Sequence, residues 1–453
     1  MIAGSGSAAV VDPSRDTGGY LKAAEELGVR ITHVLETHLH ADFVSGHTDL
    51  AASGALIVAP ASAECAFPHR GVREGDSFSI ENIRFAVMET PGHTPEHVSY
   101  AVADTSRGPE PAGVFCGDTL FVGDAGRPDL FPGRARELAS SLYDSLRRLT
   151  ELPDFCEVWP AHGAGSLCGR SLASKYTSTV GYERLHNPVL RRADREDFIR
   201  HLTTDMPPAP DHFSRCSAIN ARGPALLSEL PDPAPLPPGE FMSAVEAGAF
   251  VLDVRRYDAF SGMHVPGSAS IDAAGNLPTF AGWTAPPDRR ILLVADGPGE
   301  ASDAALWLRR VGLDDVAGYL EGGMASWASA GYPFGRLPQV SARRAEALIR
   351  SDPGSVVVLD VRAPAEFRGS HPDRAVNIPA PDLRHRHGEL DREKEILVVC
   401  GTGQRSTLGA SILMAAGFRR VSSLGGGLRG MQAASLAPAC SLCAGPHGPG
   451  IQE

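Results

Sequence analysis

Lysine is almost missing from this chain. Only Lys22, Lys175 and Lys394 occur among 42 basic residues, so arginine carries nearly all the positive charge. We read this imbalance as nucleotide-composition bias rather than as an anion-binding surface. Cysteine is also scarce: eight in 453 residues is too few for a disulfide framework, and free thiols in a reducing compartment are expected. No apolar run approaches the ~20 residues a membrane helix needs. The opening MIAGSGSAAVVDPSRD has no basic segment followed by an apolar one, which argues against a secretory leader and makes the cytoplasm the expected location. A net charge of -12 argues against nucleic acid as a partner, since phosphate binding needs a basic surface.

What is present is ordinary globular composition, 43% hydrophobic and 21% charged, in a chain long enough for two to four domains. Residues 1–205 alternate short β-rich runs (Ala8–Asp12, Ile31–Glu36, Ala55–Ala59, Ile83–Met88, Val114–Cys116) with helical patterns at Thr17–Leu27 and Arg134–Leu149. This predicts an α/β domain. Residues 206–238 are proline-rich and predict a stiff, extended linker. The remainder repeats internally. VLDVRRYDAFSGMHVPGSASI from Val251 matches VLDVRAPAEFRGSHPDRAVNI from Val358, and LEGGMASWASAGYP from Leu320 matches LGGGLRGMQAASLAP from Leu424. Two small doubly wound α/β units are expected, at 239–335 and 338–438, followed by a tail at 439–453.

The densest chemical signal is THLHADF, Thr37–Phe43, directly after the apolar run ITHVLE. His38, His40 and Asp42 alternate there, so several donors can reach one metal from a single loop. His93 in TPGHTPEH, Asp118 in FCGDTLF and His162 in WPAHG follow, each beside glycine or proline at the end of a β-rich run. A single histidine of this kind is more often structural. Four in this order, with an aspartate between the third and fourth, point to a metal site.

This pattern resembles the metallo-β-lactamase superfamily over about residues 1–200. The resemblance implies an αββα sandwich with the metal at the edge of two sheets. Hydrolytic members carry a second histidine after the motif's aspartate, whereas this chain has Phe43, which cannot ligate. In that respect it resembles the persulfide dioxygenases. The resemblance then implies one Fe(II) per chain held by His38, His93 and Asp118, with His40, Asp42 and His162 as supporting groups or reserve ligands. GDAGRPDL, Gly123–Leu130, resembles a Gly-Arg-x-Asp element of those enzymes, in which Arg127 either meets a substrate carboxylate or pairs with Asp129. The family domain usually opens with a strand pair before VVDP. Only nine residues precede Val10, so either the start is misplaced or the first edge strand is absent. Cys440 and Cys443 form a C-x-x-C near His447 in the tail, open to a structural or redox role or to disorder.

In the second repeat EILVV runs into Cys400-Gly-Thr-Gly-Gln-Arg405-Ser406, which places Cys400 at a strand-to-helix turn. Backbone N–H groups there favour a thiolate or persulfide anion, and Arg405 adds positive charge. This resembles the rhodanese active loop, and its length is that of sulfurtransferases. Aligning ILLVADGPGEAS from Ile291 on ILVVCGTGQRS puts Asp296 in the cysteine's place, making the first repeat an inactive rhodanese module with a scaffolding or oligomer-contact role. The expected whole is a cytoplasmic, homo-oligomeric enzyme that oxidises a low-molecular-weight persulfide such as glutathione persulfide with O₂, coupled to sulfur transfer at Cys400. A glyoxalase II-like thioester hydrolase and a non-catalytic sulfur carrier or sensor are the alternatives. No nucleic acid or membrane partner is expected.

Overall fold

The computed structural model describes all residues except 171, 172, 205, 207, 352, 353, 355 and 435–453, so the Cys440/Cys443 tail lies outside the described residues. It divides into two compact units, Met1–Leu230 with Arg310–Gly312, and the remainder from Pro231. Among the described residues, no helix is long and apolar enough to cross a membrane.

The first unit is built on two sheets. One runs Ile2–Ala3, Ser7–Val11, Arg30–Leu35, Leu56–Pro60, Arg70–Val72 in spatial order. The other runs Ser178–Thr179, Glu157–Pro160, Gly113–Gly117, Val98–Asp104, Ile83–Glu89, Ser77–Ile80. Side-chain alternation explains the layering. Ala9 and Leu35 face inward and pack with Phe85, Tyr100 and Val102 of the opposite sheet. Val10 and Val34 face outward against Leu50 of the helix His47–Ala52 and Tyr20 of the helix Gly18–Leu27. On the far side Leu138, Leu142 and Leu146 of Ala135–Leu149 are buried, and that helix shares a core with Phe198 and Leu202 of Arg195–Thr203. The result is an αββα sandwich. An edge strand does precede VVDP, but it is only two residues long and pairs antiparallel with the next strand.

The proline-rich stretch is not an extended spacer. DHFSRCSAINAR, free of proline, forms the helix His212–Arg222, whose His212, Phe213, Cys216 and Asn220 are buried. Ala234–Leu236 adds a parallel edge strand to the first repeat's sheet. No proline falls within the helix, and Pro235 sits in an edge strand, where a sheet tolerates proline.

In the second unit both repeats form five-stranded parallel sheets of the same order. The first is Ala234–Leu236, Val316–Leu320, Ile291–Val294, Phe250–Asp253, Ala269–Ser270; the second is Gln339–Val340, Val421–Leu424, Glu395–Val399, Val356–Asp360, Val376–Asn377. Each keeps a buried Asp–Arg fork after its second strand in sequence, Asp253–Arg255 and Asp360–Arg362, and a histidine stacked on a phenylalanine, His264 on Phe260 and His371 on Phe367. The first repeat's core is anchored by Trp327, 1% exposed, edge-on to Phe241 and donating its indole N–H to the Pro333 carbonyl at 2.8 Å. Trp327→Ala is expected to destabilise this unit by about 3–5 kcal/mol, read as a lowered midpoint in chemical denaturation.

Candidate metal centre and sulfur-transfer loop

Every metal-site residue singled out in the sequence lies just past the end of a strand or in a strand-to-strand loop of the sandwich. Asp12 follows Ser7–Val11 with a left-handed backbone, φ 48°. Its carboxylate accepts the Thr37 N–H at 2.7 Å and the Thr37 hydroxyl at 2.9 Å. That hydroxyl has spent its single proton, so it can only accept from His38 Nδ1, 2.9 Å away. The lone pair of His38 is thereby left on Nε2. His93 is fixed the same way: its Nδ1 donates to the Arg127 carbonyl at 2.9 Å, freeing Nε2. Asp118 Oδ1 takes a hydrogen bond from His162 Nδ1 at 2.7 Å, leaving Oδ2.

Those three remaining atoms converge. His93 Nε2 lies 3.3 Å and His38 Nε2 3.9 Å from Asp118 Oδ2, with all three atoms within 4.8 Å of one another. All are buried, and none has a hydrogen-bond partner among the described residues. Three unsatisfied buried polar atoms in contact are costly unless a cation takes them. The donor set of two neutral imidazoles and one carboxylate fits a single metal ion. Burial holds both His38 and His93 below the ordinary histidine range, keeping the rings neutral. Burial alone would raise Asp118, but the surrounding His162 and His93 hold its carboxyl well below the usual carboxylate range.

The reserve residues are turned elsewhere. His40 Nε2 points to Asp12 Oδ1 at 3.2 Å and Glu36 Oε2 at 3.7 Å, and the Phe43 ring packs on it at 4.3 Å. His162 spans two carboxylates, with Nε2 2.8 Å from Asp42 Oδ2. Burial opposes its charge, yet Asp118 and Asp42 raise it well above the ordinary value. Arg127 is buried with its fork on Asp129, at 2.7 and 2.8 Å, and donates to the Leu167 carbonyl. A buried guanidinium needs its countercharge, so this fork is filled from within rather than offered to a substrate carboxylate.

Sequence reasoning missed three groups. His97 accepts the Asp118 N–H at 3.0 Å and stacks on His38 at 4.9 Å; burial and His93 push it down to about 3. It lies within the TPGHTPEH segment and was legible there. Cys168, six residues after His162, completes a second donor group with Asp42 and His162. Asn220 donates to the His40 and Phe43 carbonyls, both at 2.8 Å, and accepts the Ser45 N–H at 2.8 Å, holding the metal loop from the stretch read as linker.

In the second repeat Cys400 is buried at the end of Glu395–Val399, and the Gly403 N–H points at its sulfur from 3.1 Å. Gly403 has φ 111°, open to glycine and strained for other residues, and this turn aims its N–H. Arg405 does not face the sulfur alone. It forms a bidentate pair with the buried Glu366, at 2.6 and 2.9 Å. The aromatic ring of Tyr257, from the first repeat, lies against Gly403, and Ser411 of the helix Gln404–Ala415 accepts the Ser270 N–H. The first repeat thus braces the Cys400 loop.

The structure corrects the placement of Asp296. Ile291 pairs with Val316 as Ile396 pairs with Val421, and Asp253 pairs with Val294 as Asp360 pairs with Val399. The left-handed Gly312 and Gly417 end the following helical segments at the same spacing. The segments 291–312 and 396–417 therefore align without a gap. Buried Ala295 occupies the position of Cys400, and exposed Asp296 falls one residue later. Glu300 stands where Arg405 does and Ala259 where Glu366 does. Sheet register overrides the similarity of the two glycine-bearing loops.

Comparison with known proteins agrees with this architecture. Residues 1–162 match the metallo-beta-lactamase superfamily, and residues 237–330 and 341–434 match the rhodanese-like domain. A metallo-beta-lactamase of known crystal structure from Staphylococcus aureus subsp. aureus COL is 34% identical, over 69% of this chain and 91% of that one, with a TM-score of 0.64. The chain belongs to the metallo-beta-lactamase superfamily. Superfamily relatives called hydroxyacylglutathione hydrolase occur in Rhodospirillum rubrum, 41% identical over 161 residues, and Methylococcus capsulatus, 38% over 162 residues. Each match spans 35% of this chain and only 58% of the relative's own length. ETHE1 from Myxococcus xanthus is 30% identical over 48% of this chain and 88% of that one, with a TM-score of 0.41.

Within this superfamily fold, the Asn220 contacts carry a test. Asn220→Ala leaves two carbonyls and one N–H of the metal loop without their partner. It should destabilise the first unit by about 1–3 kcal/mol, seen in denaturant unfolding, and speed metal loss to a chelator.

Proposed function

We propose that the chain is an iron-dependent persulfide dioxygenase joined to a sulfurtransferase. The observation that carries this reading is the donor set of His38, His93 and Asp118, the one fully buried group of three such groups among the described residues, with Phe43 in the next motif position and His40 grouped instead with Asp12 and Glu36. Ferrous iron bound there by three residues would leave open positions and supply the activation of O₂. The chain's own residues hold the tautomers, through Thr37 and the Arg127 carbonyl, and keep the carboxylate of Asp118 ionised through His162. The reaction balances as R–S–SH + O₂ + H₂O giving R–SH and sulfurous acid, which ionises to sulfite.

At the second centre the Cys400 thiolate attacks the outer sulfur of a persulfide. The S–S bond of the donor breaks, its thiolate leaves, and Cys400 becomes a persulfide. Sulfite then takes that sulfur as thiosulfate and returns the Cys400 thiolate. Glutathione persulfide or a similar small persulfide is the proposed donor, in the cytoplasm, for sulfide detoxification by a homo-oligomer. A second reading has support of its own. The relatives called hydroxyacylglutathione hydrolase favour a thioester hydrolase, and Asp42, His162 and Cys168 offer donors beside the first set.

Metal content and oxygen uptake separate the two. The protein as purified should hold about one iron per chain and consume O₂ with glutathione persulfide. Two zinc ions per chain with cleavage of a glutathione thioester would overturn the dioxygenase. His93→Ala and Asp118→Ala should each lose both iron and oxygen uptake. Cys400→Ser should abolish sulfur transfer yet leave oxygen uptake intact, while Asp296→Ala should change neither. Loss of sulfur transfer in Asp296→Ala but not in Cys400→Ser would reverse the assignment of the repeats.

A further inference from the structure

A cleft of about 650 Å³ opens along the seam of the two repeats. The first repeat contributes His264, Pro266, Gly267 and Gly335; the joining segment and the second repeat supply the rest. Its position is fixed by the sheet. Glu395 and Val421, the first residues of their strands, line it, whereas Cys400 follows the last residue of Glu395–Val399. The cleft is therefore at the opposite end of the sheet, about 15 Å of strand away from the thiol.

Its charge is opposite to that of the whole chain. Arg336, Arg344, Arg419 and Arg420 line it, against the single carboxylate of Glu395. Glu395 lies 3.8 Å from Arg420. Arg336, Arg344 and Arg419 form no ion pair among the described residues, and all three are exposed. A protein of net charge -12 has thus collected three uncompensated guanidinium groups around one concavity. The arginine excess that looked like compositional bias is here given a place. The interior includes apolar surface from Phe418 and Met414.

We propose that this cleft binds a small polyphosphate anion of the nucleoside-diphosphate class. The volume is that of a small-molecule site. Guanidinium forks grip phosphate oxygens through paired hydrogen bonds, which lysines cannot reproduce. Four arginines less one glutamate leave a charge that matches a diphosphate ester, about three negative charges at neutral pH. The apolar surface takes the body of the ligand. Because Cys400 is at the other end of the strand, the ligand binds there without entering the sulfur chemistry, and the inference stands whichever reaction the metal centre performs.

Calorimetric titration of the full chain tests this with three probes: ADP, inorganic pyrophosphate and adenosine. ADP should bind one per chain, pyrophosphate should compete with it, and adenosine should show no binding; raising the salt should weaken the phosphate ligands. The double variant Arg344→Glu/Arg419→Glu should weaken ADP by about tenfold or more, with Arg419→Glu alone giving a smaller loss in the same direction. Both should keep the wild-type circular dichroism and sulfur transfer, since these side chains are exposed and far from the thiol. Cys400→Ser should bind ADP as the wild type does. Absence of binding by both ADP and pyrophosphate at millimolar concentration would overturn the proposal. So would binding indifferent to the charge reversals, equal binding of adenosine, or capture of single-stranded RNA without any of ADP.

Discussion

The carboxylate of Asp12 decides which nitrogen of His38 faces the cleft. It takes the only proton of the Thr37 hydroxyl, and that forces the hydroxyl to accept from His38. Without that orientation the His38 lone pair would point at Thr37, and the three-atom donor set would be two. The rest of the first unit serves the same end. Two sheets bring their strand ends to one side, and the loops there differ in what they deliver: a tautomer-fixing carbonyl from Arg127, an ionised partner from His162, a clamp from Asn220. Metal binding in such a site is bought by leaving polar atoms unpaired in the apo protein, a cost borne by the surrounding packing.

The two repeats show how separable framework and chemistry are. The Asp–Arg fork and the His–Phe stack occur in both, because each closes the same turn and packs the same helix. The groups around the sulfur occur in one. Where the second repeat has Cys400, Arg405 and Glu366, the first has Ala295, Glu300 and Ala259. The first repeat's side of the seam still matters, since Tyr257 lies on Gly403 and Ser270 is tied to Ser411.

Much of this was legible in the sequence. The β-rich runs located five strands of the first unit to within a residue at each end, the His-x-His-x-Asp loop located the centre, and the sandwich itself came from the family resemblance; strand periodicity and donor spacing are local properties. Two things were not local. Asn220 acts on a loop 180 residues away in the chain, from a segment whose flanking prolines masked a proline-free helix. The two glycine-bearing loops are similar enough to overlay one residue out of step, which puts Asp296 in place of Ala295, and hydrogen-bond register between strands fixes the match. Arg127 shows a third limit: a sequence names a guanidinium but not its countercharge, and Asp129 two residues on was close enough to claim it.

The Arg405–Glu366 pair has a consequence for the history of the tandem. Restoring a thiol at Ala295 by a single codon change would place it beside Glu300, a carboxylate that opposes a thiolate, with no Glu366 counterpart to receive an arginine if one returned. Three changes would have to arrive together, and each alone leaves an uncompensated charge or an idle sulfur. On the proposed reading the first repeat therefore acts on the Cys400 loop through contacts such as Tyr257 on Gly403 rather than through a thiol of its own.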